Sequence, residues 1–341
     1  MRASIFHAAG TPMAIEDTPD PRPGPADLLI KVGYSGVCGT DLHLTQPGLE
    51  SSLGPGAILG HEFSGEVVEA GAETVGWRRG DRVTVMPYRA CPACGGVCKD
   101  GLDIICPRVS YLGIALPGGN AQLVAVGAAQ ALRLPDAVDL RLGALVEPLA
   151  VGFHAVRKAG PILGARVLVL GAGPVGLAVA QFARLAGAAC VVVSEPREAA
   201  RRRAEAMGAT ATVDPRAGAV GEAFADLAGG APEVVFECVG TPGMIAESIS
   251  LAPLFGRVIV VGACMEVDHL RPIVALAKEL TLTFVLGHDR RDFQFVIGAL
   301  ADGRIDPSPM ITQVASFDAF PEAFEGLRSG ADSCKLLLKP N

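Results

Sequence analysis

Short apolar runs alternate with amphipathic stretches through the second half of the chain, from about residue 166 to residue 286. The apolar runs have the length of buried strands, and the stretches between them have helical periodicity. Strands alternating with helices in this way are typical of a parallel sheet covered on both faces, so this half is predicted to be a doubly wound α/β domain. The predicted strands are Val167–Leu170, Cys190–Ser194, Val234–Glu237 and Val258–Val261, and the predicted helices are Val175–Ala186 and Glu198–Met207.

The first 150 residues have a different pattern. Strand-like runs such as Leu28–Val32, Glu66–Glu69 and Arg82–Pro87 are separated there by clusters of Pro and Gly. After about residue 287 the chain returns to mixed character, and it ends on the strand-like Lys335–Lys339. We therefore predict a mainly β domain of residues 1–150, completed by residues 287–341, and an α/β domain of residues 151–286.

Composition excludes several classes of function. The chain has 341 residues, of which 50% are hydrophobic and 19% charged, as in ordinary globular proteins with two domains. A formal net charge of −7 disfavours binding to nucleic acid or to an anionic membrane. Since the sequence also shows no signal-peptide core and no apolar stretch of membrane-spanning length, we expect a cytoplasmic protein without nucleic-acid or membrane partners.

A glycine motif directly follows the first strand of the α/β half and precedes a helix. It comprises Gly171, Gly173 and Gly176, with Pro174 and Val175 between the last two. In this context the first glycine permits a tight turn, the second lets the backbone approach a pyrophosphate, and the third lets the helix pack against the strand. The pyrophosphate would then lie at the positive end of the helix. The motif therefore predicts a dinucleotide site.

The second strand of the α/β half is followed by Glu195. An acidic side chain at this position can accept hydrogen bonds from the ribose hydroxyls and would repel a 2′-phosphate, which favours NAD over NADP. Arg201 is a further candidate cofactor residue, and together with Arg197 it leaves a 2′-phosphate contact open. Alternatively, Glu195 only stabilises the start of the following helix.

Two later strands of the same half also end in segments that can border a cofactor. Cys238 and Val239 follow one strand, and Val261 and Gly262 follow the other. Ligands of open α/β sheets bind outside the carboxyl ends of the strands, so these four residues are candidate cofactor contacts. The alternative is that the glycines of these segments only form turns.

Several potential metal ligands lie in the first 150 residues. Cys38, the adjacent pair His61 and Glu62, and Glu147 together offer one sulfur, one nitrogen and one or two carboxylate oxygens. Taken singly, a cysteine is more often a small core residue and a histidine is more often simply hydrogen-bonded. Together they suit a tetrahedral zinc ion with one open position.

A second group of cysteines falls within 16 residues. Cys91, Cys94, Cys98 and Cys106 have two, three and seven residues between successive members. Four thiolates at such spacing suit a closed, structural zinc site. A redox-active dithiol formed by Cys91 and Cys94 is the alternative.

Taken in order, these motifs resemble those of the zinc-containing medium-chain alcohol and polyol dehydrogenases, and the resemblance covers essentially the whole chain. It rests on GVCGTDLH, GHEFSGEVVEAG, the four-cysteine segment, VEPLAVGFHAV and GAGPVG. The branch that contains butanediol, sorbitol and threonine dehydrogenases is the most similar. The resemblance implies a GroES-like catalytic domain made from both ends of the chain, a Rossmann NAD-binding domain, and a homodimer or homotetramer.

The resemblance also implies roles for the candidate ligands. Cys38 and His61 match catalytic zinc ligands, and Glu147 matches the third protein ligand. Glu62 follows the histidine ligand and, in this branch, exchanges with Glu147 or water on the metal.

Three residues of the GVCGTDLH motif have implied roles of their own. Thr40 and His43 match the positions of a proton relay. Asp41 matches a residue that orients a metal ligand, a kind of support that metal sites commonly have.

The predicted activity is therefore hydride transfer between NAD(H) and a secondary alcohol, diol or polyol, with zinc acting on the substrate oxygen. A zinc-free reductase of quinones or enones is one alternative, and a nucleotide-binding protein without catalysis is another. Both are disfavoured because the ligand and relay positions are all present. The chain departs from the family in having three residues, not two, between Cys94 and Cys98, which leaves an altered loop or partial zinc occupancy open.

Overall fold

The structure is a computed structural model that describes residues 1–47, 53–89, 91, 104, 106, 108–328, 330 and 332–340. It divides into two compact units. Unit 1 consists of Met1–Glu147, Asp289–Gly303 and Ile311–Asn341, and unit 2 consists of Pro148–His288 and Arg304–Met310. Both ends of the chain therefore belong to unit 1.

The strands in chain order are β1 (Arg2–Phe6), β2 (Ala14–Asp17), β3 (Asp27–Gly36), β4 (Ala57–Ile58), β5 (Glu62–Ala70), β6 (Arg82–Val85), β7 (Tyr88–Arg89), β8 (Ser110–Tyr111), β9 (Leu123–Gly127), β10 (Ala131–Arg133), β11 (Arg166–Leu170), β12 (Cys190–Ser194), β13 (Ala211–Val213), β14 (Val234–Glu237), β15 (Arg257–Val260), β16 (Thr281–Phe284), β17 (Ile311–Ala315) and β18 (Lys335–Leu338). The helices are α1 (Gly39–Leu44), α2 (Leu140–Gly143), α3 (Val146–Lys158), α4 (Pro174–Leu185), α5 (Glu198–Ala206), α6 (Val220–Ala228), α7 (Met244–Leu251), α8 (Pro272–Ala277), α9 (Arg290–Ala301) and α10 (Phe320–Arg328).

Unit 2 contains a six-stranded sheet in which all neighbouring strands are parallel, in the order β13-β12-β11-β14-β15-β16. The strands β11, β12 and β14 are buried along almost their whole length, as expected for strands covered on both faces. The predicted doubly wound α/β fold is thus confirmed. The strand order reverses direction between β11 and β14, which is where ligands of such sheets bind.

The predicted strands of unit 2 agree with the observed ones to within one residue. Cys190–Ser194 and Val234–Glu237 occur as predicted, whereas the predicted strand Val258–Val261 is shifted to Arg257–Val260. The shift has a simple cause, because β14 ends at Glu237, which pairs with Val260 and leaves no residue of β14 opposite Val261.

Unit 1 is built around a seven-stranded sheet in the order β10-β6-β5-β3-β18-β17, with β9 also paired to β3. Its long central strand β3 is antiparallel to β5, to β9 and to the C-terminal strand β18. Alternate residues of β3 (Leu28, Ile30 and Val32) are fully buried in the core cluster of this sheet. The predicted mainly β, GroES-like architecture is confirmed for this unit.

Unit 1 also contains a small sheet in which β1 pairs with β2 and β4, and a two-stranded pair of β7 with β8. Within the residue ranges that the structure describes, no helix has the length and apolar character needed to cross a membrane.

Candidate functional site

Three of the predicted metal ligands come together in unit 1. The potential ligand atoms of Cys38, His61 and Glu62 all lie within 4.8 Å of one another. The pairing of β3 with β5 causes this, because Gly36 at the end of β3 lies opposite Glu62 at the start of β5. Cys38 follows β3 by two residues and His61 immediately precedes β5, so both side chains lie at the same end of the strand pair.

Asp41 connects two of these residues. Its carboxylate is 1% exposed, accepts a hydrogen bond of 2.9 Å from the backbone N–H of Cys38, and lies 3.4 Å from His61 Nδ1. Burial alone would lower the pKa of His61, but the negative charges of Asp41 and Cys38 raise that pKa well above its usual value. A carboxylate in this position fixes the orientation of an imidazole and raises its basicity.

Glu62 has a partner that the sequence analysis missed. Lys335, the first residue of β18, is 1% exposed, and its Nζ donates to both carboxylate oxygens of Glu62, with a distance of 2.6 Å to Oε1. Burial raises the pKa of Glu62, the charge of Lys335 lowers it, and the nearby carboxylate of Glu147 raises it, with a net increase. The only sequence signal was a lysine at the start of an otherwise apolar final strand.

The charges and donor types of this cluster fit a bound zinc ion. Three carboxylates, those of Asp41, Glu62 and Glu147, are at most 7% exposed, and the positive charges that act on them among the described residues are those of Lys335 and His61. A divalent cation would compensate for this excess of negative charge. The sulfur, nitrogen and oxygen donors are also those that zinc prefers.

The two relay candidates lie on the short helix α1 beside the cluster. Thr40 is exposed and its Oγ1 lies 3.6 Å from Cys38 Sγ. His43 is also exposed and is three residues further along the helix, a spacing that places both side chains on neighbouring positions of one face.

Two of the four clustered cysteines are described. Cys91 and Cys106 are free thiols whose sulfurs lie 3.6 Å apart. This separation is close to the roughly 3.8 Å expected for two thiolates on one tetrahedral zinc, given Zn–S bonds of about 2.3 Å. Cys94 and Cys98 lie outside the described residues.

In unit 2 each of the three glycines in the Gly171–Gly176 loop is suited to its position for a different structural reason. Gly171 has a φ of +94°, which side chains rarely adopt. A Cβ at Gly176 would overlap the carbonyl oxygen of Gly171. A Cβ at Gly173, by contrast, would meet no protein atom within 4 Å, so the backbone there faces open space.

That open space belongs to a cavity of about 460 Å³ at the carboxyl ends of β11, β12 and β14. Five of the predicted cofactor residues line it, namely Gly171, Gly173, Glu195, Cys238 and Val239. Pro174 and Val175 form the first turn of α4, for which Gly173 is the N-cap, so this helix begins at the cavity. A helix N-terminus beside an open cavity is suited to an anionic group.

The remaining cofactor candidates, Arg201, Val261 and Gly262, are not among the residues that line the cavity, but they support segments that do. Arg201 Nη1 donates to the backbone carbonyls of Glu195 and Pro196, each at 2.8 Å, and so supports the segment after β12. Val261 and Gly262 both donate their backbone N–H groups to the carbonyl of Glu237. A Cβ at Gly262 would overlap the backbone of Gly240, so these two glycines permit the two strand-end segments to approach closely.

Glu237 is a second residue that the sequence analysis missed. Its carboxylate is 1% exposed and accepts hydrogen bonds from the backbone N–H groups of Val239 and Gly240, at 2.6 Å and 2.8 Å. It therefore fixes the segment that borders the cavity. An acidic residue at the end of an apolar strand was the available signal.

Glu195 is held in a defined orientation. Its carboxylate accepts a hydrogen bond of 3.0 Å from the N–H of Ala172 in the glycine loop and one of 2.8 Å from Arg197 Nε. Burial alone would raise the pKa of Glu195, but the hydrogen bonds from Arg197 and Ala172 lower it below its usual value. The side chain is thus an anion at neutral pH.

The fold and the two candidate sites are typical of a nucleotide-binding metalloprotein, and comparison with known proteins identifies the family. Residues 24–136 match the alcohol dehydrogenase GroES-like domain, and residues 174–302 match the zinc-binding dehydrogenase model. The sequence is 32% identical to a sorbitol dehydrogenase of Gallus gallus (99% of this chain and 96% of that protein). It is 30% identical to (R,R)-butanediol dehydrogenase of Bacillus subtilis (100% of both).

A solved structure is also similar over the whole chain. A protein from Sinorhizobium meliloti 1021, described as a zinc-binding dehydrogenase and bound to NADP, superposes with a TM-score of 0.91 at 35% identity and covers 99% of both chains. The chain therefore belongs to the zinc-containing medium-chain alcohol and polyol dehydrogenases, as the motifs indicated. It is an oxidoreductase of this family, whose cofactors are zinc and a nicotinamide dinucleotide.

The glycine loop gives a prediction that separates ligand binding from folding. Gly173→Ala should leave the thermal unfolding temperature unchanged, because its Cβ meets no protein atom and its φ of −70° suits any residue. It should weaken NADH binding by about tenfold or more, the equivalent of 1.4 kcal/mol, if the dinucleotide occupies that space. Gly176→Ala should instead destabilise unit 2 by about 1–3 kcal/mol through overpacking.

The two variants are compared by thermal unfolding and by fluorescence titration with NADH. Equal NADH affinity for Gly173→Ala and the unsubstituted protein would show that the dinucleotide does not approach this loop.

Proposed function

We propose that this protein is an NAD(H)-dependent zinc dehydrogenase that interconverts a secondary alcohol, diol or polyol and its ketone. The observation that carries the proposal is the convergence of the potential ligand atoms of Cys38, His61 and Glu62 within 4.8 Å of one another. The buried carboxylates of Asp41 and Glu147 add negative charge to this cluster. In this assignment residues 1–150 and 287–341 form the catalytic domain and residues 151–286 form the NAD-binding domain.

Cys38 and His61 would hold the zinc, and either Glu147 or Glu62 would supply the third protein ligand. Zinc bound there supplies Lewis acidity, which lowers the pKa of the substrate hydroxyl and so eases its deprotonation. Asp41 orients His61 and the backbone at Cys38 through the contacts described above. The donor set itself supports this assignment, because it leaves room for an exogenous oxygen ligand.

The proton of the substrate hydroxyl must reach solvent. In the proposed path Thr40 Oγ1, close to Cys38 Sγ, accepts this proton as the hydroxyl releases its own proton towards His43. His43, exposed on the same helix, passes a proton on to water, a role that suits an imidazole because its two ring nitrogens can accept and donate protons.

We propose NAD as the cofactor, although a relative with 35% identity is described as bound to NADP. The anionic carboxylate of Glu195 lines the cavity in unit 2 and would repel a 2′-phosphate while accepting hydrogen bonds from ribose hydroxyls. Arg197, which lines the same cavity, already donates to Glu195. Val261 and Gly262, together with Arg201, would then support the cofactor pocket at its edges.

We further propose a structural zinc at Cys91, Cys94, Cys98 and Cys106, supported by the 3.6 Å separation of the two described sulfurs. The described cysteines are all free thiols, which suits the reducing conditions of a cytoplasmic location.

The proposed catalytic zinc site predicts that substitution of Cys38 removes both the metal and the enzymatic activity. Cys38→Ala should reduce bound zinc by one equivalent and abolish NAD⁺ reduction with secondary alcohols, because it removes a ligand, while NADH binding by unit 2 persists. Metal analysis, NADH titration and a panel of secondary alcohols, diols and polyols measure the three quantities. Cys264→Ala is the matched control and should retain all three, whereas full turnover by Cys38→Ala would exclude the zinc mechanism.

The proposed role of Glu195 predicts that its substitution weakens the preference for NAD⁺ over NADP⁺. Glu195→Gln keeps an acceptor for the Ala172 N–H but removes the charge that opposes a 2′-phosphate. The ratio of kcat/KM for NAD⁺ to that for NADP⁺ should fall by roughly tenfold or more. Glu198→Gln, on the exposed start of α5, should leave the ratio unchanged. An unaltered ratio in Glu195→Gln would assign the preference to other residues.

We propose that the protein forms a homodimer or homotetramer through the edge of the unit 2 sheet. The edge strand β16, the residue pair after it and the chain segment between β15 and β16 expose large apolar side chains, from 58% to 76% exposed. This set, called the apolar edge, comprises Met265, Val267, Ile273, Leu276, Phe284 and Leu286. Such a patch beside an unpaired strand edge is typical of an interaction surface.

A charge placed on the apolar edge should therefore dissociate the oligomer. Leu286→Asp is expected to give a monomer in sedimentation equilibrium, because an aspartate buried at an apolar interface is costly. Val75→Asp, at a 91% exposed valine of unit 1, is the control and should keep the oligomeric state. An oligomer that survives in Leu286→Asp would place the interface elsewhere.

A further inference from the structure

All three N–H donors of the Lys335 ammonium group are hydrogen-bonded to neighbouring residues. Its three N–H donors reach Glu62 Oε1, Glu62 Oε2 and the backbone carbonyl of Val37, the last at 3.0 Å. The side chain is buried, so it does not exchange these partners for water. Lys335 thus has no donor left for a substrate, and its role must act through Glu62.

The contact between Glu62 and Lys335 crosses an intervening strand. Glu62 begins β5 and Lys335 begins β18, and β3 lies between these two strands in the sheet. Gly36 of β3 is opposite Glu62 on one side and opposite Leu337 of β18 on the other. A Cβ at Gly36 would overlap Glu62 Oε2, so the carboxylate passes over β3 only because residue 36 lacks a side chain.

The Glu62 carboxylate therefore has two competing cationic partners. One of its oxygens lies within 4.8 Å of the donor atoms of Cys38 and His61, where the metal would bind, while both oxygens are bonded to Lys335. A carboxylate held by two charge-assisted hydrogen bonds must give up at least part of that interaction to coordinate a metal. The strength of the Lys335 contact thus decides how readily Glu62 becomes a ligand.

We propose that Lys335, acting across the gap left by Gly36, is a positioning residue that holds the Glu62 carboxylate back from the catalytic metal and sets how readily it exchanges onto that metal. This inference rests on the metal site proposed above. It assigns a function to two residues, Lys335 and Gly36, that touch neither the substrate nor the cofactor in the proposed mechanism.

The test compares two substitutions that release Glu62 in different ways. Lys335→Met removes the ammonium, whereas Gly36→Ala keeps it and displaces the carboxylate with a methyl group. Gly36→Ala thereby separates repositioning of Glu62 from the simple loss of a positive charge near the metal. Lys335→Arg restores the cation, and the controls are Lys339→Met on the exposed end of the same chain segment and Gly54→Ala, whose Cβ would meet nothing within 4 Å.

Two measurements do not depend on turnover. The first is the zinc dissociation constant of the catalytic site, from chelator competition, and the second is the visible spectrum of the cobalt-substituted protein, each corrected with the Cys38→Ala variant. In both Lys335→Met and Gly36→Ala, zinc should bind roughly tenfold or more tightly, the scale on which partners of metal ligands act. The cobalt bands should weaken as the coordination number rises, and Lys335→Arg and both controls should resemble the unsubstituted protein.

The Glu62→Gln background identifies the residue responsible. There, adding Lys335→Met or Gly36→Ala should no longer change the cobalt spectrum. If zinc affinity and the cobalt spectrum are unchanged in Gly36→Ala, the proposal is wrong, and this result holds even if Lys335→Met fails to fold. A spectral change that persists in the Glu62→Gln background would also overturn the proposal. If the unsubstituted protein and Cys38→Ala bind the same amount of zinc, the metal site itself is wrong, which is a separate result.

Discussion

The pairing of β3 with β5 is the interaction on which the candidate metal centre depends. Residues 38 and 61 are far apart in sequence and adjacent in space because Gly36 lies opposite Glu62 in this antiparallel ladder. A shift of one residue in the register would turn every side chain of β5 to the other face of the sheet. The register is secured by the alternating buried residues of β3, so the hydrophobic core of unit 1 also determines the geometry of the polar cluster at its end.

In unit 2 the candidate site residues are brought together by the parallel arrangement of the strands and not by the register of an antiparallel pair. Its parallel strands all end at one edge of the sheet, and their carboxyl ends form the wall of the cavity. Two buried carboxylates stabilise this wall by accepting backbone N–H groups, Glu195 from the glycine loop and Glu237 from the segment after β14. The loops around the cavity are therefore preorganised by the protein's own acidic side chains.

Much of this could be predicted from the sequence because the relevant signals are local. The apolar runs predicted β12 and β14 to the residue, and the glycine spacing predicted a turn whose three glycines have distinct steric reasons. Lys335 could not be predicted in the same way, because its partner lies 273 residues away and the contact exists only through strand order. The sequence does not distinguish Glu62 from Glu147 as zinc ligand for the same reason, since that choice depends on contacts between residues distant in the chain, such as Glu62 with Lys335.

The crossing of β3 by the Glu62 carboxylate also limits how this site can change during evolution. Gly36, Glu62 and Lys335 come from three strands, yet none can be replaced alone without a steric or electrostatic penalty. A side chain at position 36 fits only when the Glu62 carboxylate moves aside. A shorter residue at position 62 leaves a buried ammonium without its counter-ion. A change at any one of these three positions therefore alters the contacts of the other two, so the three positions should vary together among descendants of this sequence.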